Sequence, residues 1–163
     1  MFTINHINNE LPKSLQYIEL EKSLIALLGE ERQFLPNMAN MASLLFFSLK
    51  NINWCGFYLM NLGELVLGPF QGKPACVRIS VGKGVCGTSA QRLESLIVQD
   101  VDKFPGHIAC DVDSRSEIVI PLMKNNELIG VLDIDSPMLA CFNEDDRQGL
   151  ERLVSILLEC SDC

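Results

Sequence analysis

Histidine is almost absent from this chain. Its 163 residues include only two, together with one tryptophan and two tyrosines. His6 and His107 stand far apart, so a metal centre built on clustered imidazoles is not expected. The chain also lacks any cluster of Lys and Arg. Its 13 basic and 21 acidic side chains leave a net charge of −8. Nucleic acids and anionic membrane surfaces demand a basic patch, and neither is expected as a partner. No apolar run reaches the roughly 18 residues of a membrane helix. Repeats and low-complexity tracts are missing as well. The opening residues, MFTINHINNE, carry neither the basic region nor the apolar core of a signal peptide, so a cytoplasmic location is expected.

Hydrophobic residues make up 48% and charged residues 21%, the balance of one globular domain spanning 1–163. Against these shortages stand seven cysteines. A secreted disulfide framework is usually shorter and evenly paired. Zinc sites want close Cys pairs, and the single Cys-x-x-Cys is Cys160 with Cys163 in the C-terminal tail. With metal and structural disulfides set aside, redox chemistry is the class that uses many thiols in a reducing compartment.

Apolar residues at Leu15, Ile18, Ile25 and Leu28 predict a helix within 12–33, and Met38, Met41, Leu45 and Leu49 predict a second after Pro36. From residue 53 the texture turns to short β-like runs. In ACVRISV, Val77, Ile79 and Val81 alternate with other residues. GVCGTSAQRLE reads as a short helix entered through glycines, and ESLIVQD as a strand. Residues 99–116 are polar and irregular. SEIVIPLM and ELIGVLDID then form a hairpin about Lys124-Asn125-Asn126. A final helix starts at a capping Asn143 followed by Glu144, Asp145 and Asp146, which suit a helix N-terminus. Helices at both ends with consecutive strands between them predict an α+β fold. Its sheet is largely antiparallel, with the helices gathered on one side.

The stretch GHIACDVDSRSE places Cys110 directly before Asp111, with Asp113, Arg115 and Glu117 beyond. A structural cysteine packs among apolar neighbours, whereas this one sits in a charged loop. Asp133 and Asp135, two apart on a strand, share a face with Ile129 and Val131, while Leu128, Leu132 and Ile134 line the other. Either the strand ends at Asp133 and both acids are wet, or they are buried for a task and hold raised pKa values. In a regular two-residue hairpin Glu117 falls opposite Ile134, on the wrong face to join them; a bulge at Gly130 would reverse that parity. Trp54 is either core or a flat apolar wall for a small group. Cys76 and Cys86 flank the SVGKGV turn, and a helix start should lower the Cys86 pKa, whereas the acids beside Cys110 should raise its own. The composition suits a thiol that attacks an electrophile while a nearby acid protonates the leaving oxygen.

NWCGFYL, GPFQGKPACVRISVGKGVCGTSA, FPGHIACD, SEIVIPL and GVLDIDS, in that order, resemble the free methionine-(R)-sulfoxide reductases over about residues 12–159. These are single GAF-domain enzymes acting on the free amino acid. The resemblance implies a GAF fold with an antiparallel sheet, flanking helices and an enclosed pocket. It assigns attack on the sulfoxide sulfur to Cys110, leaving a sulfenic acid. Cys86 or Cys76 then forms a disulfide with it, which thioredoxin reduces. Glu117 and Asp135 are placed at the sulfoxide oxygen with Asp133 beside them, and Trp54 at the substrate methyl group. No metal or other cofactor is implied, and a homodimer is left open. The rival reading is a GAF domain that binds a small ligand or senses oxidants without catalysis, for which three thiols and three acids at these positions have no use.

Overall fold

The computed structural model describes residues 10–106 and 111–163, so His107 and Cys110 lie outside the described residues. The chain opens with two helices, α1 (Lys13–Leu28) and α2 (Phe34–Ser48). Four strands and a helix follow: β1 (Trp54–Asn61), β2 (Glu64–Gly72), β3 (Arg78–Ser80), α3 (Gly84–Arg92) and β4 (Leu96–Val98). The chain then closes with β5 (Ser116–Lys124), β6 (Glu127–Ser136) and α4 (Glu144–Glu159). One six-stranded sheet runs in the order β3-β2-β1-β6-β5-β4, antiparallel at every pairing. No helix among the described residues is long and apolar enough to cross a membrane.

The terminal helices α1, α2 and α4 cover one face of the sheet. There Leu20, Leu24, Met38, Met41 and Leu157 meet Cys55, Phe57, Ile118, Ile120, Leu132 and Ile134. The short α3 lies on the other face, over Trp54, Tyr58, Val119 and Val131. Asn143 caps α4 as the sequence predicts, taking the amides of Asp145 and Asp146, while Asp146 accepts the Asn143 N–H at 2.8 Å. The same Asp146 carboxylate takes the Tyr17 hydroxyl at 3.0 Å and the Lys13 ammonium, so one cap also fastens α1 to α4.

Three expectations need correction. α1 buries Tyr17, Leu20, Leu24 and Leu28, leaving Leu15, Ile18 and Ile25 about half exposed. The series 15, 18, 25 is interrupted by Lys22, whereas 17, 20, 24, 28 is an unbroken stripe. α2 begins two residues before Pro36, which sits in the first turn where a missing N–H costs nothing. β3 is only three residues long, so Ile79 is buried while Val77 and Val81 fall beyond the ladder and are exposed.

The β5–β6 hairpin turns on Asn125 and Asn126, both at positive φ, as a two-residue type I′ turn requires. Lys124 pairs with Glu127 and Met123 with Leu128, but Leu122 pairs with Gly130. Ile129 is therefore an extra residue, a bulge one position before Gly130. It flips the expected facing of the turn-side residues: Ile129 packs toward the helices and Leu128 toward α3. Beyond the bulge Glu117 pairs with Asp135, not Ile134.

Candidate active site

That one-residue shift assembles the site. Trp54, Asp135 and Glu117 stand side by side across β1, β6 and β5, and Asp133 lies in the next row opposite Gly56 and Val119. All four side chains occupy the face covered by α3. The α3 helix contributes Cys86 from its first turn, held close by Gly87, where a Cβ would come within 2.4 Å of the Ser80 carbonyl. Glu117, Asp133 and Cys86 are buried, and Asp135 is half-buried.

These groups line a small, partly open cavity of about 30 Å³, with Asp111 and Ser114 from the loop before β5 and Ile79, Lys83, Gly84 and Val85 from the β3–α3 side. The volume is close to that of one water. A wider, open groove of about 780 Å³ between α4 and the β5–β6 hairpin contains no cysteine, and its Arg147 and Glu151 are already paired with each other.

Burial sets the chemistry here. It pushes the Glu117 carboxyl well above the usual carboxylate range, reinforced by the neighbouring Asp135 charge. Burial likewise raises Asp133, reinforced by Glu117, and Asp135, reinforced by Asp133 and Asp111. Asp133 Oδ1 is buried without a hydrogen-bond partner among the described residues. An ion would tolerate that poorly, whereas a proton shared with an adjacent carboxyl relieves it. Burial and mutual repulsion thus favour the protonated forms of the trio relative to ordinary carboxyls.

Cys86 corrects an expectation. Its place at a helix start would lower its pKa, but burial, followed by the charges of Asp133 and Glu117, raises it well above the usual thiol range. Its Sγ lies 3.9 Å from Glu117 Oε1. One ligand atom each from Cys86, Glu117 and Asp133 falls within 4.8 Å of the others, and a metal ion there would compete with protons for all three groups.

The acids that follow Cys110 divide into two kinds. Asp111 is buried, and its carboxylate accepts the Asp113 N–H at 3.0 Å, the Lys73 ammonium at 3.1 Å and Asn53 Nδ2 at 3.3 Å. The Asp113 N–H, followed by Lys73 and Asn53, draws its pKa below the ordinary value. Asp113 is exposed and pairs with Lys73 at 2.6 Å. Asp111 and Asp113 therefore anchor the loop, while burial shifts Glu117, Asp133 and Asp135 toward their protonated forms. Sequence reasoning missed Lys73, Asn53 and Ser114. Each lies within a quoted stretch, Lys73 in GPFQGKPACVRISVGKGVCGTSA, Asn53 in NWCGFYL and Ser114 in GHIACDVDSRSE, but no local pattern marks any of them.

Trp54 is buried between Phe70 (ring centroids 5.4 Å apart) and Tyr58 (5.9 Å). Its Nε1 donates to the Lys73 carbonyl at 3.1 Å. It stands next to Asp135 in the strand register but does not line the cavity as defined by the described residues. Cys76 is half-buried on the loop after β2 and also outside the cavity lining, with the Tyr58 hydroxyl on its carbonyl at 3.0 Å. Cys55 points into the helix-side core, and Cys141, Cys160 and Cys163 do not line the cavity.

An antiparallel sheet thus closes a small chamber lined by carboxyls and a thiol under a short helix. Residues 23–158 match the family model of the GAF domain. Free methionine-R-sulfoxide reductase of Escherichia coli (strain K12) is 52% identical over 141 residues, covering 86% of each chain. Its namesake from Saccharomyces cerevisiae is 41% identical over 163 residues, covering 94% of this chain and 91% of its own. The X-ray structure of free methionine-R-sulfoxide reductase from Neisseria meningitidis in complex with its substrate superposes with a TM-score of 0.92 at 40% identity, covering 98% of this chain and 95% of that one. The chain belongs to the GAF domain family and, within it, to the free methionine-R-sulfoxide reductases, a class of oxidoreductases.

Proposed function

We propose that the chain reduces free methionine (R)-sulfoxide to methionine, with Cys110 as nucleophile and the Glu117–Asp133–Asp135 trio as proton source. The observation that carries this reading is the trio itself: three carboxyls gathered on one wall with their pKa values raised by burial. The names of the similar reductases, one of them solved with its substrate, support the substrate. Cys110 adjoins Asp111, a residue of the cavity wall.

In this reading the Cys110 sulfur attacks the sulfoxide sulfur while a trio carboxyl protonates the oxygen, which cannot leave a sulfur centre as a bare oxide. The oxygen passes to Cys110: a thiol and a sulfoxide become a sulfenic acid and a thioether, and methionine departs. Cys76 or Cys86 then attacks the sulfenic sulfur, the S–O bond breaks, and water leaves as the disulfide forms. A dithiol protein of the thioredoxin class returns both thiols to the reduced state. Trp54 offers an apolar ring near the substrate methyl group. The cavity as it stands is far below the 300–1,000 Å³ typical of small-molecule sites, so substrate entry requires the wall to open.

The test is thioredoxin-coupled NADPH oxidation with racemic free methionine sulfoxide. Consumption should stop near half of the racemate and vanish in Cys110→Ser. Activity surviving in that variant would move the nucleophile to Cys86 or Cys76. No turnover by the wild type, even with dithiothreitol, would leave a non-catalytic ligand-binding domain as the reading.

A further inference from the structure

We propose that Cys86, Glu117 and Asp133 form a binding site for a borderline-soft divalent cation, zinc above all, and that its occupation blocks the substrate cavity. That the bound ion inhibits rests on the reductase reading above; that it binds does not. The donors come from three elements: Cys86 from the first turn of α3, Glu117 from β5 and Asp133 from β6. One donor atom from each lies within 4.8 Å of the other two, and all three side chains are buried. Cys86 Sγ is 3.9 Å from Glu117 Oε1. A tetrahedral S–Zn–O edge measures about 3.5 Å, so a small inward movement closes this pair on an ion.

A second observation points to a ligand. The Asp133 side chain lines the cavity, and its Oδ1 is buried with no hydrogen-bond partner among the described residues. An acceptor left bare in this way costs free energy that a cation recovers. The scaffold also holds the donors in place before any ion arrives. Asp133 and Glu117 stand on paired strands in mid-sheet, and α3 is drawn against the sheet edge by Gly87, which admits no Cβ.

The donor types select the ion. One thiolate with two carboxylates is a poor set for magnesium or calcium, which take oxygen ligands, and a good one for zinc, which accepts sulfur and oxygen together. Three protein donors leave zinc a fourth position for a water. Binding sends the thiol proton and any carboxyl protons to solvent. The cavity, close to one water in volume, admits an ion without the opening that an amino acid requires. Metal and substrate then compete, since both need the same carboxyls.

The experiment loads the reduced, chelator-treated full chain with zinc chloride alone. Metal analysis after gel filtration should give one zinc per chain, and X-ray absorption at the zinc edge should show one sulfur among oxygen neighbours. By calorimetric titration, Cys86→Ser and Asp133→Asn should each bind zinc at least about tenfold more weakly. The double variant Cys160→Ser/Cys163→Ser should bind as the wild type does. Free methionine sulfoxide should weaken zinc binding, and zinc should inhibit methionine formation competitively. No bound zinc, an ion held by two or more sulfurs, loss of binding with the tail cysteines, or unchanged affinity in Asp133→Asn would overturn the site. Zinc bound as described but without competition would overturn the blocking role. No methionine formation by the zinc-free wild type would overturn the reductase reading and leave the metal site standing.

Discussion

Gly56 offers the sharpest test of how the site wall is built. It lies between Trp54 and Tyr58 on the same face of β1, opposite Phe70 on β2 and Asp133 on β6. A Cβ there would come 2.3 Å from Phe70 Cβ, 2.7 Å from Trp54 Cη2 and 2.9 Å from Phe70 Cα. The first and third contacts belong to a neighbouring strand, so rotating a side chain does not relieve them. Gly56→Ala should therefore cost about 3 kcal/mol, the upper end for an inserted methyl. For a domain of this length that corresponds to roughly 6–12 °C in Tm. Gly63→Ala is the control. Gly63 has φ +85° with nothing within 4 Å of the new Cβ, so it should lose only about 1–2 kcal/mol from backbone strain. Scanning calorimetry gives the stability, and the emission of Trp54, the single tryptophan, reports its stack with Phe70 and Tyr58. Only Gly56→Ala should shift that emission. A Gly56→Ala protein with Tm within about 2 °C of wild type and unchanged emission would refute the packing argument.

Three further outcomes are expected. The raised pKa of Glu117 makes its protonated form the one that suits the fold, so the stability it lends is full in acid and lost as pH rises through its folded pKa. Glu117→Gln should flatten that loss, gaining Tm relative to wild type as pH rises above the ordinary carboxylate range while methionine formation falls; an unchanged pH slope would count against a buried Glu117 with a raised pKa. On α1, Leu20→Ala should cost about 2–5 kcal/mol by urea unfolding and Ile18→Ala within about 0.5 kcal/mol, and the reverse order would restore the sequence-predicted face. Asn143→Ala removes a capping box and should cost about 1 kcal/mol, or roughly 2–4 °C, with full activity retained.

What could be read from the sequence divides along physical lines. The α4 cap, the Asn125-Asn126 turn and the entry into α3 follow from local chemistry, and all three stand in the structure. So does the α+β order with an antiparallel sheet. Facing is harder, because it depends on what an element meets. α1 carries two apolar series, and only the partner α4 selects between them. The Glu117–Asp135 pairing depends on a single bulged residue, Ile129, which no turn signal marks. Local rules also put Cys86 at a favourable helix start, yet burial, reinforced by carboxyls from two distant strands, reverses the sign of its shift. Lys73 shows the same limit: its partners lie 38 and 40 residues away.

The acids of this chamber stand on the best-held part of the chain. Asp133, Asp135 and Glu117 stand on β6 and β5, each hydrogen-bonded along both edges, and the opposite face is sealed by three helices. Amides there should be among the slowest to exchange with solvent. Under the proposed cycle a disulfide would form and part again at each turnover, and this floor need not move with it. A variant that lost Cys76, which does not line the cavity, should therefore still fold around the same acid-lined chamber, so that binding would outlive catalysis.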